Sequence, residues 1–163
     1  MLWSCDRFEF DKVYNLLIWL NIMENQEYKK VLTFGSFDLI HPGHHYFLNK
    51  AKELGDELIV VLSRDGEIMK YKGNFMYEAQ ERIKQLMEID CVDRTILDFY
   101  DKFQVLDVTR PDVIALGYDQ GDCFKDKLER EVSERGLGAE IVRLDSYKPE
   151  IYKSSLLKEA RRR

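Results

Sequence analysis

The sequence predicts an α/β fold with a doubly wound, mainly parallel sheet of five strands. Short aliphatic runs alternate along the chain with segments whose apolar residues recur at helical spacing. Two of these runs, Glu57–Leu62 and Asp112–Leu116, are almost continuously apolar, which is typical of strands buried on both faces of a sheet. Alternation of strand and helix requires crossover connections, and crossovers join parallel strands.

The first predicted strand is Lys30–Phe34. A helix over His44–Leu54 follows, with apolar side chains on one face and Gly55 as its stop signal. Glu57–Leu62 is the second strand. The next segment, Asp65–Asn74, is polar, basic and contains glycine, so it is predicted to be a loop.

The second half of the chain continues the alternation. Ligands of such sheets bind beyond the carboxyl ends of the strands, at the point where the strand order reverses, so residues that follow a strand are candidates for the site. The remaining predicted elements are a helix at Tyr77–Ile89, a weak strand at Arg94–Leu97, a short helix at Asp101–Thr109, strands at Asp112–Leu116 and Ala139–Leu144, a charged helix at Phe124–Arg135 and a basic helix at Ser154–Arg163.

Composition and charge exclude several classes of protein. With 45% hydrophobic and 34% charged residues, the chain has globular rather than disordered composition. A formal net charge of -5 argues against a nucleic-acid binder, because neutralising phosphates requires a basic face. The three cysteines are widely spaced and form no C-x-x-C pair, which favours reduced thiols in a cytoplasmic protein over disulfides or a zinc site.

The chain divides into an N-terminal extension over residues 1–22 and one domain over residues 23–163. The longest apolar stretch, Val13–Met23, is interrupted by two asparagines and falls short of the ~20 residues that span a membrane. Acidic residues precede it, unlike the basic start of a signal peptide. Leu16, Leu17 and Leu20 lie near helical spacing, so an ordered extension is predicted to pack as an amphipathic helix.

All three histidines of the chain, His41, His44 and His45, follow the first strand. His44 falls in the first turn of the next helix, where free backbone N–H groups and the helix dipole form an anion site. Imidazole N–H groups at His41 and His44 can donate to phosphate oxygens and stabilise developing charge. An H-x-x-H pair can also bind a metal, but no further histidine or suitably spaced cysteine completes such a site, so phosphate is favoured.

The run GSFDLIHPGH, Gly35–His44, resembles the G-x-F-D-x-x-H-x-G-H signature of the cytidylyltransferase-like nucleotidyltransferases. The likeness extends from Lys29 to about Lys158 and implies a Rossmann-like fold of the HxGH type. Within that superfamily Gly55–Asp65, Lys70–Gly73 and Pro111–Gln120 look most similar to archaeal FAD synthases. A second, Ser/Thr-rich phosphate motif is matched only loosely, around Ser154 and Ser155.

The resemblance implies transfer of AMP from ATP to FMN, giving FAD and pyrophosphate by direct in-line attack. The alternative within the same chemistry is a CTP-dependent enzyme that acts on glycerol 3-phosphate or a similar phosphorylated alcohol. Some cytidylyltransferases carry a lysine where this chain has Tyr46, which weakens that alternative. Two functions of other classes are alternatives to these enzymes. A tRNA-synthetase fragment is disfavoured by the acidic net charge of the chain. A non-catalytic nucleotide sensor is disfavoured because it would not need both His41 and His44.

The resemblance also implies roles for individual residues. Mg²⁺ is expected to bind together with the nucleotide and not in a site built from protein ligands. The resemblance also implies a possible homodimer, since a homodimer is common among relatives. The expected catalytic residues are His41, His44 and Arg82. The expected nucleotide contacts are the two histidines together with Ser36, Phe37, Gly117, Asp119, Lys153, Ser154 and Ser155. The residues expected to contact the acceptor are Asp38, Asp65, Lys70 and Lys72.

Several of these residues have plainer alternatives. Arg82 could be one solvated charge on a helix, and Ser154 and Ser155 could serve as a helix N-cap. Lys70 and Lys72 could simply be solvated on a polar loop.

Overall fold

The computed structural model describes residues 28–161, with the backbone alone at positions 154, 155, 159 and 161. The extension proposed for residues 1–22 lies outside the described residues. The chain forms β1 (Lys30–Gly35), α1 (Pro42–Lys52), β2 (Glu57–Leu62), α2 (Asp65–Lys72), α3 (Ala79–Met87), β3 (Arg94–Leu97), α4 (Gln104–Thr109), β4 (Val113–Leu116), α5 (Asp122–Glu134), β5 (Glu140–Arg143) and α6 (Ser154–Arg161).

The five strands form one parallel sheet in the order β3-β2-β1-β4-β5. From β1 the chain moves outward through β2 to β3, then crosses to the other side of β1 and continues through β4 to β5. The strand order therefore reverses between β1 and β4, which is where doubly wound folds bind their ligands. The predicted α/β fold is confirmed.

Side chains on both faces of the sheet are buried under helices. On one face Leu48 of α1 and Leu86 of α3 pack on Leu58 and Val60 of β2. On the other face, side chains of α4 and α5 pack on alternate residues of the same strands. Since every residue of β2 is buried, its continuous apolar run reflects contact with both layers.

Helix α2 corrects the predicted loop over Asp65–Asn74. Asp65 starts the helix, and Gly73 ends it with a φ of 74° and an N–H that donates to Met69 O at 3.0 Å. Only Ile68 of this helix is buried. A helix that buries one side chain lacks the apolar stripe by which helices are recognised in a sequence, and its terminal glycine resembles a loop signal.

The other predicted elements are present; β2 and β3 have the predicted ends, and the rest are shifted by one to three residues at one or both ends. Helix α1 begins at Pro42, two residues before the predicted start, because proline is well suited to the first helical turn. No helix within residues 28–161 is long and apolar enough to cross a membrane.

Candidate active site

A cleft of about 990 Å³ opens at the carboxyl edge of the sheet, where the strand order reverses. Its walls come from segments that are far apart in sequence. The lining includes Gly35–Phe37, His41, Gly43 and His44 after β1; Glu67, Ile68, Tyr71 and Lys72 of α2; Lys102; Gly117–Gln120 after β4; Asp145–Tyr147 after β5; and Tyr152, Lys153 and Lys158 at α6.

The turn between β1 and α1 is tightly packed. A Cβ at Gly35 would lie 2.4 Å from the ring of Phe37, so only glycine fits there. Phe37 itself has a φ of 42°, in the left-handed region, and its ring is buried 5.0 Å from that of His44. The chain then enters α1 through His41, whose carbonyl accepts the N–H of His44 at 2.8 Å. The N-terminus of α1, with its positive dipole end, belongs to the cleft.

His41 and His44 stack on each other, with ring centroids 3.8 Å apart and planes 21° apart. Burial lowers the pKa of His44 to about 3, and the nearby charges of His41 and Lys72 act in the same direction. Burial and His45 lower the pKa of His41 too, against an opposing effect of Asp119. Both rings are therefore neutral near pH 7 in the free protein, and each keeps one N–H that can donate to an anionic oxygen.

Lys72 is the predicted acceptor residue that reaches this turn. Its Nζ donates to Ser36 Oγ at 2.8 Å, and its side chain lines the cleft. Burial lowers the pKa of Lys72, as does the charge of Lys158, while Asp119 and Asp38 oppose the shift. Lys70, two residues before Lys72 on α2, is exposed with its Nζ 5.2 Å from the centre of the Tyr71 ring, and it does not line the cleft.

Arg82 is completely buried beneath the cleft rather than exposed in it. Its Nε donates to Tyr77 O at 2.9 Å and its Nη1 to Ser36 O at 2.6 Å. Its Nη2 donates to Ser63 O at 3.0 Å and to Asp65 Oδ1 at 2.6 Å. The guanidinium thus ties the ends of β1 and β2 to α2. Arg82 is therefore not a solvated charge on the helix, and its contact with the triphosphate stays a prediction.

The two carboxylates predicted to contact the acceptor are also engaged inside the protein. Asp38 is 2% exposed and accepts the backbone N–H groups of Met76 and Tyr77 at 2.8 and 3.0 Å. Asp65 pairs with Arg82 and accepts the N–H of Ala79 at 3.2 Å. Neither side chain lines the cleft, so in this structure both hold its walls in place.

Gln120, which no sequence motif marks as a site residue, bridges β1 and β4 where the strand order reverses. Pairing of β1 with β4 ends at Thr33 and Ala115. Beyond it Gln120 Nε2 donates to Phe34 O at 3.0 Å, while its Oε1 accepts the N–H of Gly117 at 2.8 Å. The side-chain amide therefore replaces a peptide unit where the strands separate. Its position just after a buried strand was the one signal available.

Three tyrosines that no sequence motif groups together form a stack beside the cleft. The ring of Tyr147 lies 5.2 Å from that of Tyr46 and 5.8 Å from that of Tyr152. Tyr147 and Tyr152 line the cleft, and so does the exposed Lys153. Ser154 is the first residue of α6, but the side chains of Ser154 and Ser155 lie outside the described part of the structure.

The charge of the cleft differs from that of the chain. The lining side chains include more cations than anions, although the chain as a whole carries -5. Among residues 28–161, no three His, Cys, Asp or Glu side chains are grouped so that they could hold a metal ion. The lining cations are Lys72, Lys102, Lys153 and Lys158, and the lining anions are Glu67, Asp119 and Asp145.

Comparison with known proteins places this cleft in context. Residues 32–160 match the family model described as cytidylyltransferase-like. A protein from Methanosarcina barkeri named FAD synthase is 41% identical over 116 residues, which cover 71% of this chain and 82% of the relative. A FAD synthase of Methanoculleus marisnigri is 35% identical over 131 residues, which cover 80% of this chain and 87% of the relative.

Solved structures agree with the fold. The crystal structure of a protein from Thermoplasma volcanium, described as a lipopolysaccharide core biosynthesis protein, is 34% identical to this chain, with a TM-score of 0.68. The similarity covers 75% of this chain and all of that one. A pantoate-beta-alanine ligase from Francisella tularensis shares the fold at 15% identity and a TM-score of 0.53.

Proposed function

This chain belongs to the cytidylyltransferase-like family, and we propose that it transfers AMP from ATP to FMN, forming FAD and pyrophosphate. The observation that carries the proposal is the 41% identity to a protein named FAD synthase over most of both chains. The stacked His41 and His44 at the N-terminus of α1 supply the chemistry such a reaction needs.

In the proposed reaction an oxygen of the FMN phosphate attacks the α-phosphorus of ATP. A new P–O bond forms as the bond from the α-phosphorus to the oxygen bridging to the β-phosphate breaks, and pyrophosphate leaves with that oxygen. The chain has no covalent step to perform, so it acts by holding the two phosphates in line and stabilising charge. His41 and His44 donate N–H groups to the phosphate oxygens, and the α1 dipole adds to their effect.

Other residues of the cleft are proposed to bind the two substrates. Backbone N–H groups of Ser36 and Phe37 face the α-phosphate, and Lys72 meets the acceptor phosphate. Gly117 and Asp119 contact the base or ribose of the nucleotide. Lys153, Ser154 and Ser155 bind the outer phosphates of ATP.

Three residues act in the proposal through their neighbours. Arg82 holds the carbonyl of Ser36, and Asp65 fixes Arg82 in turn. Asp38 fixes the segment at Met76 and Tyr77. Lys70 is the remaining predicted acceptor residue, and its exposed position outside the cleft lining restricts it to contacts with a substrate that extends beyond the cleft.

A divalent cation, expected to be Mg²⁺, would be held chiefly by the nucleotide phosphates. The cleft fits this arrangement, because the carboxylates of Asp119 and Asp145 line it while the described residues form no three-ligand cluster. When bound, the cation neutralises phosphate charge and favours departure of pyrophosphate.

We also propose a cytoplasmic homodimer that does not bind nucleic acid. Light scattering of the purified protein tests the dimer, and a gel-shift assay with RNA and DNA tests the last point. A monomer in solution would contradict the proposed homodimer. Binding of RNA or DNA at physiological salt would contradict the proposal that the protein does not bind nucleic acid.

The reaction is tested by incubating the purified protein with ATP, FMN and Mg²⁺ and separating the flavins by chromatography. FAD and pyrophosphate should appear in equal amounts, and His41→Ala should abolish most of the product. Parallel reactions pair ATP and CTP with glycerol 3-phosphate, nicotinamide mononucleotide and phosphopantetheine. Pyrophosphate release with CTP and glycerol 3-phosphate, and none with ATP and FMN, would replace this proposal with the alternative.

A further inference from the structure

Lys158 of α6 forms an ion pair with Asp38 in the turn between β1 and α1. Both groups are largely removed from solvent, since the side chains are 13% and 2% exposed. A charge pair this deeply buried is costly to break from one side, because the remaining charge is left without a partner.

The Asp38 carboxylate joins three segments of the chain at one point. It lies after β1, accepts the backbone N–H groups of Met76 and Tyr77 ahead of α3, and pairs with Lys158 of the last helix. Burial alone would raise the pKa of Asp38, but the hydrogen bonds from Lys158, Tyr77 and Met76 outweigh it and hold the pKa below its ordinary value. The carboxylate is therefore ionised, as a partner of Lys158 should be.

Helix α6 has few other means of attachment among its described side chains. Leu156 is 45% exposed and Ala160 is also exposed, which leaves Leu157 and Lys158 as the half-buried side chains. Lys158 is the one charged residue of α6 whose side chain the structure describes. A short helix with so little apolar surface buried gains modest docking energy from packing.

We propose that Lys158 is a positioning residue whose ion pair with Asp38 holds α6 against the turn between β1 and α1, so that the N-termini of both helices face the nucleotide phosphates. Helix α6 begins at Ser154, next to Lys153 in the cleft lining, and Lys158 itself lines the cleft. The ion pair thus joins the two segments on which the phosphate contacts depend. The kinetic test of this inference rests on the proposed function, whereas the hydrogen-exchange test does not.

The structural test is hydrogen exchange of the full chain, followed by mass spectrometry of peptides from α6. Lys158→Met removes the charge and retains a long apolar side chain, and amide exchange in α6 should become about tenfold faster or more. Lys158→Arg keeps the charge and should restore most of the protection. Lys125→Met is the matched control, because Lys125 pairs with Glu129 on the surface of α5 and should leave α6 unchanged.

The kinetic test measures KM and kcat for ATP in the same variants. Since α6 is proposed to bind phosphates before and during transfer, Lys158→Met should raise KM for ATP about tenfold and change kcat less than about threefold. Asp38→Asn weakens the same pair from the other side while its amide oxygen can still accept the N–H of Met76. The two substitutions combined should do little more harm than either alone.

Wild-type exchange rates in α6 for both Lys158→Met and Asp38→Asn would overturn the inference, as would fully additive effects in the double variant. If one of the two variants does not fold, the rate of amide exchange in α6 of the other variant tests the inference by itself. Failure of the wild-type protein to make FAD, together with faster α6 exchange in Lys158→Met, would reject the proposed function and leave the positioning role intact.

Discussion

The protonation state of His41 and His44 follows from where the fold places them. Imidazole titrates near neutral pH when exposed, but burial lowers the pKa of both rings and keeps them neutral here, and Lys72 acts in the same direction on the pKa of His44. A neutral ring donates one N–H. The negative charge of a bound triphosphate would raise the pKa of both rings.

Replacing His44 with alanine should lower kcat roughly 100- to 1000-fold, the usual loss when one donor to a developing charge is removed. His45→Ala is the control, because His45 is exposed and is absent from the cleft lining. Steady-state kinetics of FAD formation measures both variants, with melting curves to confirm that each is folded. Unchanged turnover in His44→Ala and in the corresponding His41 variant would exclude a catalytic role for the pair.

At the scale of elements, the site depends on where regular pairing stops. Strands β1 and β4 separate after Thr33 and Ala115, and that separation opens the cleft. The amide of Gln120 satisfies the two backbone groups that the separation leaves without a strand partner, Phe34 O and Gly117 N–H. The cleft therefore keeps its width without leaving buried polar groups unpaired.

Gln120→Leu should destabilise the protein by about 1–3 kcal/mol, because it leaves a carbonyl and an N–H without their partner. KM for ATP should rise as well, since the segment after β4 loses its anchor. Urea unfolding and initial-rate kinetics measure the two effects. Gln80→Leu, at an exposed position of α3, serves as the control; an equal loss there would mean that the amide bridge is unimportant.

At the scale of the whole molecule, an acidic protein presents a cleft whose lining includes four lysines and three carboxylates. Screening limits the reach of the distant carboxylates to about 8–10 Å at physiological salt, so a bound polyphosphate responds mainly to the groups around it. On this ground we propose that the cleft binds a mononucleotide and not a nucleic-acid polymer, which would extend over a protein whose net charge is negative.

A variant that lacks residues 1–22 should fold and retain AMP transfer. The family match begins at residue 32, and β1 begins at Lys30. The melting temperature should stay within about 3 °C of that of the full chain, which corresponds to roughly 1 kcal/mol for a domain of this size. Loss of solubility or a larger drop would show instead that the extension packs on the domain.

The predicted site divides into residues that face the cleft and residues that support it. His41, His44, Ser36, Gly117 and Asp119 line the cleft, as their positions just after strands predict. Arg82, Asp38 and Asp65 carry charges that a sequence comparison assigns to substrates, but their hydrogen bonds are with the protein. Charge and position in a motif do not reveal which way a side chain points.

The sequence by itself determined the alternation of strands and helices, the bounds of β2 and the turn between β1 and α1, because each depends on residues close together in the chain. The tertiary structure decided the rest. Met76 meets Asp38 from 38 residues away, Ser36 meets Arg82 from 46, and Phe34 meets Gln120 from 86. Such contacts depend on how the elements pack, and no local pattern of apolar and polar residues encodes them.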